Sequence, residues 1–210
     1  MSSNFFITGT DTNVGKTVLS ALLVSALDGT YWKPVQSGAC EGTDRRSVMK
    51  WAELTEERAF PECYCFDPPV SPHLAARISN AQIDLNRIRA PYEPNHPIIA
   101  EGAGGILTPL NDRQTMLDLI RQLSFPVIVA SRSSLGTINH TLLTLRALRE
   151  AGIPLLGVVM IGEENHENRL AIEWYGKVRV IGRVPWLQTI CREALLKVFE
   201  SSFDKSLFWS

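Results

Sequence analysis

Charge of one sign is what this sequence most plainly lacks. Its 21 Lys and Arg nearly cancel its 22 Asp and Glu, leaving a formal net charge of −1 over 210 residues. Without a global field, neither a nucleic acid nor an acidic membrane surface is an expected partner, and any polyanion must be bound locally. Cysteine is scarce: Cys40, Cys63, Cys65 and Cys191 show neither zinc-ribbon spacing nor the density of a disulfide-stapled secreted domain, so reduced side chains are expected. No apolar run reaches membrane-spanning length, and Met1 to Asn4 run straight into Phe5-Phe6-Ile7 without a basic leader, so the expectation is a soluble, cytoplasmic protein. Repeats, low-complexity linkers and composition shifts are missing as well, which points to one domain over residues 1–210.

What is present is an alternation. Short apolar runs that read as buried strands recur at Asn4–Thr8, Thr30–Val35, Pro97–Glu101, Pro126–Ser131, Leu155–Ile161 and Val178–Ile181. Segments of helical periodicity lie between most of them, at Thr17–Leu27, Gln114–Leu123 and Ile138–Glu150, and a short helix is expected near Ala75–Ile88. Strands apolar on both faces, alternating with helices, predict an α/β fold with a mostly parallel sheet flanked by helices on both faces.

The first strand runs into Gly9-Thr10-Asp11-Thr12-Asn13-Val14-Gly15-Lys16-Thr17, and an apolar helix follows at once. Glycines let backbone N–H groups turn inward on phosphates, and the helix N-terminus adds partial positive charge. Lys16 can reach the outer phosphates, and the Thr17 hydroxyl can ligate magnesium. Five residues, not the usual four, separate the two glycines, so this is a variant phosphate loop of the P-loop NTPase type. A plain glycine turn with an incidental Lys-Thr pair is the competing reading, disfavoured by the flanking strand and helix.

Lys33, in Trp32-Lys33-Pro34-Val35-Gln36-Ser37-Gly38, stands at the carboxyl end of the second strand, where open α/β sheets bind ligands. It faces either an anion in the cleft or solvent as an ordinary surface lysine. Ile98-Ile99-Ala100-Glu101 places a carboxylate at the tip of an apolar strand, before the turn Gly102-Ala103-Gly104-Gly105. Glu101 suits magnesium beside Thr17; Asp44 is either a second such ligand or a helix N-cap.

Taken together, GTDTNVGKT, WKPVQSG, SPH at Ser71–His73, EGAGG, LGTINH at Leu135–His140 and VPWL at Val184–Leu187 resemble the dethiobiotin synthetase family over most of the chain. The resemblance implies a homodimeric cyclo-ligase acting on diaminopelargonic acid, CO2 and ATP. The diamine takes up CO2 as a carbamate, the carbamate attacks the γ-phosphate, and the mixed anhydride cyclises with loss of phosphate. By the same resemblance, Asn13, Val14, Gly15, Lys16, Thr17 and Val18 cradle ATP phosphates, and Thr17, Asp44 and Glu101 hold Mg2+. Glu101, Gly102, Ala103 and Gly104 belong to the nucleotide site, and Pro185, Trp186 and Leu187 to the loop against which the base rests. Lys33 matches the active-site lysine, acting with Lys16. Thr12 and Ser37 match substrate contacts, and Gly136, Thr137, Ile138 and Asn139 match the segment that holds the substrate's carboxylate tail across the dimer interface.

Departures from the family pattern are visible. Asn13 stands where some relatives carry an acidic residue, and Ser134 where some carry lysine. In some relatives the strand matching Leu155–Ile161 ends in an asparagine that pairs with the adenine edge; Ile161 or Gly162 stands here, and neither side chain can donate or accept. His73 and His140 are assigned no catalysis, and the tail from Phe199 to Ser210 suggests packing, at the dimer contact, more than chemistry. Three rivals share the phosphate loop. An amidotransferase-type ligase domain would bring a glutaminase domain for which 210 residues leave no room. A ParA-like or MinD-like ATPase switch would place a further lysine early in the loop, where Asp11 stands. A nucleotide-binding protein without catalysis is the third.

Overall fold

The computed structural model describes residues 4–208. Strand β1 (Phe5–Gly9) enters the phosphate loop, and α1 (Lys16–Ala26) leaves it. After them come β2 (Thr30–Trp32), β3 (Val35–Ser37), α2 (Asp44–Ala52), β4 (Ala59–Phe60), β5 (Tyr64–Phe66) and α3 (Pro72–Ile78). The second half comprises β6 (Ile98–Gly105), α4 (Met116–Leu123), β7 (Val127–Arg132), α5 (Thr137–Glu150), β8 (Leu155–Ile161), α6 (His166–Gly176), β9 (Val180–Val184) and α7 (Arg192–Ser202).

Seven strands form one sheet in the order β4-β2-β6-β1-β7-β8-β9, every pair parallel, and β3 pairs with β5 in a small second sheet. Alternation along β1 divides the interior into two cores. Phe6 faces one core with Ala100, Val129 and Val158, covered by Leu119 of α4, Leu145 of α5 and Ile172 of α6. Phe5 and Ile7 face the other with Ile99 and Ile128, covered by Leu19 and Leu22 of α1, Val48 of α2 and Phe199 of α7. Burial on both faces is why these strands read as unbroken apolar runs. No described helix is long and apolar enough to cross a membrane.

Four expectations need correction. Thr30–Val35 is two strands, because Pro34 offers no N–H to a ladder; the chain steps at Lys33-Pro34 from the main sheet to the small one. Glu101 lies within β6, which runs on to Gly105, not at its tip. Of the helix expected at Ala75–Ile88, only Pro72–Ile78 forms, followed by a 3-10 turn at Leu85–Arg87. The last strand lies at Val180–Val184, two residues further along than Val178. The tail packs inward: Phe208 meets Phe5 at 5.7 Å and Phe199 at 5.6 Å between ring centroids, while Phe203 bridges the outer edge of β9 at Gly182. Residues 209 and 210 lie outside the described part.

Candidate functional site

At the carboxyl edge of the sheet, the ends of β1, β2 and β6 open into a cleft of about 930 Å³ lined by the phosphate loop, Lys33, Gln36, Ser37, Asp44 and Glu101. Both loop glycines are required by space. A Cβ on Gly9 would lie 2.6 Å from Val14 Cγ2, and one on Gly15, at φ 95°, would lie 2.8 Å from Ile161 Cγ2. Val14 is buried in the core, so only its backbone is available to a phosphate. Lys16 is 7% exposed and curls back to donate to the Asp11 carbonyl at 2.9 Å. Burial pulls its ammonium down to about 8, against partial support from Glu101.

Beneath the loop lies a four-residue knot. Thr17 Oγ1 is 3.1 Å from Asp44 Oδ1 and 3.0 Å from Glu101 Oε1. Lys33, 4% exposed, donates to Asp44 Oδ2 and lies 3.2 Å from Glu101 Oε1. Burial alone would depress the Lys33 ammonium; the Glu101 and Asp44 carboxylates outweigh it, so its pKa stands above the ordinary lysine value. The lysine therefore faces the cleft as a cation held by two acids, which resolves its two readings. Asp44 is not the cap of α2: that place belongs to Thr43, and Asp44 is the first helical residue, its N–H held by Gln36 Oε1 at 3.1 Å.

Asp44 and Glu101 converge on one cation, the Lys33 ammonium, and the Thr17 hydroxyl lies against both carboxylates, so three hard oxygen donors stand together. That donor set suits Mg2+, which takes one or two carboxylates and completes its octahedron with phosphate oxygens and water. Ser20 and Tyr31, which brace the Glu101 carboxylate, and Gln36, which holds the Asp44 backbone N–H, were not singled out from the sequence. The signal for two of them was period: Ser20 follows Thr17 by one helical turn, and Tyr31 shares a strand face with Lys33.

Thr12, Asn13, Gly15, Val18, Ser37, Ala103 and Gly104 line the same cleft. Gly102 does not. A Cβ there would lie 3.0 Å from Phe6 and 3.3 Å from Met116, so this glycine allows close packing behind the site. Gly136 to Asn139 open α5 outside the cleft wall, with buried Thr137 and Thr141 hydroxyls bonded to Ser131 Oγ at 2.6 and 2.7 Å. Arg132, also not singled out, spans the gap by donating to the Thr12 carbonyl at 3.0 Å. Trp186 stands 73% exposed between Pro185 and Leu187, on the β8–β9 side of the phosphate loop. Ile161 packs beneath Gly15, and Gly162, at φ 124°, faces Ser133 and Trp186.

The family described as AAA domain matches residues 3–194. An ATP-dependent dethiobiotin synthetase of Agrobacterium fabrum is 47% identical over 99% of this chain and 98% of its own length. One from Rhodopseudomonas palustris strain BisA53 is 46% identical over 97% of this chain and 95% of its own. Among solved structures, a ParA family ATPase from Chlorobium tepidum superposes with a TM-score of 0.55 over 99% of this chain and 96% of its own. The septum site-determining protein MinD from Pyrococcus horikoshii, complexed with Mg-ADP, gives 0.51 over 94% and 86%. These two are 12% and 16% identical and share the fold alone. Near-full-length identity well above 40% on the one hand, and a shared fold without sequence likeness on the other, separate the two readings: the chain belongs to the dethiobiotin synthetase family.

Proposed function

We propose that this chain closes the ureido ring of dethiobiotin from 7,8-diaminopelargonic acid, CO2 and ATP, releasing ADP and phosphate. The observation that carries the reading is the knot of Thr17, Lys33, Asp44 and Glu101 directly beneath a phosphate loop, in a chain of this family. One amine adds to CO2 and loses a proton, giving a carbamate. A carbamate oxygen attacks the γ-phosphorus and ADP leaves. The second amine attacks the carbamoyl carbon of the resulting carbamic-phosphoric anhydride, phosphate departs, and the ring is closed.

Each step needs charge held in place more than it needs a strong base. Lys16 and the backbone of Asn13 to Val18 hold the phosphates. Lys33 turns from its two carboxylates toward the carbamate and the moving phosphoryl group, since incoming phosphate and carbamate oxygens compete for the ammonium. Thr17, Asp44 and Glu101 would hold Mg2+, which supplies charge neutralisation to the nucleotide when bound. Thr12 and Ser37 contact the diamine. Ala103 and Gly104 complete the nucleotide site, and Pro185, Trp186 and Leu187 support the base.

Gly136, Thr137, Ile138 and Asn139 lie outside this chain's cleft, which suits capture of the carboxylate tail of a substrate bound mainly by a second copy. α5 supports that role: Gly136 caps it without a side-chain hydrogen bond and the Thr137 N–H bonds Ser134, so the N–H groups of Ile138 and Asn139 remain for an anion. The functional unit is then a homodimer of single-domain subunits, working in the cytoplasm.

The test is direct. The protein is incubated with diaminopelargonic acid, bicarbonate, magnesium and ATP, and dethiobiotin is sought by mass. Product formation at the expense of ATP is expected; ATP hydrolysis that ignores the diamine and yields no dethiobiotin would move the assignment to a ParA-like switch.

A further inference from the structure

The two oxygens of Glu101 are not equivalent. Oε1 faces the cleft, within 3.0 Å of Thr17 and 3.2 Å of Lys33. Oε2 turns away and accepts two hydroxyls, Ser20 Oγ at 2.8 Å and Tyr31 OH at 3.0 Å. Both donors are fully buried, and Glu101 is 1% exposed. Each comes from an element that also feeds the knot: α1 carries Thr17 and Ser20, and Tyr31 lies on β2 two residues before Lys33.

We propose that Ser20 and Tyr31 are positioning residues that hold Glu101 as a one-oxygen ligand and thereby set the cation site for Mg2+ against Ca2+. The inference rests on Thr17, Asp44 and Glu101 being the divalent site. A carboxylate oxygen offers about two lone-pair directions, and two hydroxyls take both on Oε2. For Glu101 to chelate through both oxygens, it would have to give up two buried hydrogen bonds and strand two hydroxyls away from water, which costs free energy for each stranded group. Mg2+ needs no such chelation, because its small octahedral shell takes single carboxylate oxygens and keeps several waters. Ca2+ takes 6–8 oxygens and commonly uses both oxygens of a carboxylate, as a general rule of its coordination. The bracing therefore burdens the larger ion selectively. A residue that merely filled space would weaken both ions alike.

The readout is binding, not turnover. Mn2+ is bound to the protein–ADP complex, free Mn2+ is followed by electron paramagnetic resonance, and Mg2+ and Ca2+ are titrated in as competitors. Wild type is compared with Ser20→Ala, Tyr31→Phe, the double variant and Glu101→Gln. Tyr31→Phe and Ser20→Ala should each move the Ca2+-to-Mg2+ competition ratio toward Ca2+ severalfold, and the double variant by roughly tenfold, the low end of what outer-sphere partners contribute at metal sites. Unchanged ratios, or equal losses for both ions, would overturn the proposal. If Glu101→Gln leaves Mn2+ binding intact, the divalent site itself is wrong. Loss in Glu101→Gln with unchanged ratios in the hydroxyl variants defeats the positioning role alone. The single variants carry the test should the double variant lose its cooperative thermal transition.

Discussion

On one side of the phosphate loop, two lysines and Glu101 lie buried, with a half-buried Asp44, among Thr17, Ser20, Tyr31 and Gln36, and nearly every polar atom there has a named partner. On the other side, beyond Gly15, the chain offers Gly162, a 73% exposed Trp186 and the apolar Ile161. The first region is built like a preorganised electrostatic site. The second is built like a shelf. Interactions in the buried region are strong because water is excluded and little rearrangement is needed, whereas a shelf contributes area without reading hydrogen-bond patterns. Perturbations on the two sides should therefore differ both in size and in kind.

The largest effect is expected for Lys16→Ala. A cation in a water-excluded phosphate site contributes several kcal/mol to a transition state, so turnover should fall by roughly a thousandfold or more, with weaker nucleotide binding. Steady-state rates and calorimetry with ATP check it; near-normal turnover would refute the phosphate-loop role.

Lys33→Ala should lower turnover by roughly a hundredfold while changing nucleotide affinity much less, because its proposed role directs its charge at the carbamate and the moving phosphoryl group. A second signature separates it from Lys16. Lys33 is the cation shared by Asp44 and Glu101. Its removal leaves two carboxylates without that partner, so Mn2+ binding in the absence of nucleotide should tighten by about tenfold or more, as expected for loss of a like charge at close range. Loss of ATP binding with turnover at saturation intact would show that the role is misassigned.

How far the sequence exposed these two regions depends on the range of the interactions. The phosphate loop was legible because strand, glycines, Lys16-Thr17 and helix are contiguous. The parallel sheet was legible because strands buried on both faces lose their alternation. Less visible was anything set by cross-strand register. That Tyr31 and Ser20 meet on Glu101 follows from β2 pairing with β6 and α1 crossing their face, and no local pattern encodes it. The same applies to Gly102, which looks like part of a glycine turn but lies within β6 and makes room for Phe6. Pro34, by contrast, was readable and underweighted: a proline in a supposed inner strand argues for a break.

A smaller effect concerns pH. Burial lowers the Lys16 ammonium of the free protein to about 8, from an ordinary value of 10.5. Phosphates favour the charged form, so the bound state keeps its proton to higher pH. Below about pH 7 both states are protonated and binding takes up no proton; above about pH 8 the free lysine is increasingly neutral, and binding must recruit one. Affinity for ADP should then fall by up to roughly tenfold per pH unit until the bound-state lysine also titrates. Calorimetry in buffers of differing ionisation enthalpy, at about pH 7 and about pH 9, reads the uptake directly. No difference between buffers at the higher pH would mean that Lys16 does not titrate where its burial places it.

The smallest effect is expected at the base. Where some relatives end the strand matching β8 with a base-pairing asparagine, Ile161 is 5% exposed and occupied under Gly15, and Gly162 has no side chain. The nearest amide in sequence is also committed: Asn165 caps α6, its Oδ1 accepting from the Asn168 N–H at 2.9 Å. Trp186 remains, its indole ring exposed and close to Gly162, able to stack on any base because every base has a π-face. Stacking on a shelf discriminates weakly, whereas a site built to hydrogen-bond a group rejects analogues lacking it by about 10⁴-fold or more. GTP and CTP should therefore replace ATP with losses of roughly tenfold or less in kcat/KM, an apolar contact's worth of discrimination. Backbone groups of Gly162 to Glu164 are the competing readers, since an N–H and a carbonyl could supply the pairing that no side chain does. Turnover with the three nucleotides under identical magnesium decides between them. A preference for ATP of roughly a thousandfold or more, far beyond what a stacking shelf discriminates, would show that this backbone reads adenine and that the two sides of the loop are less different than their side chains suggest.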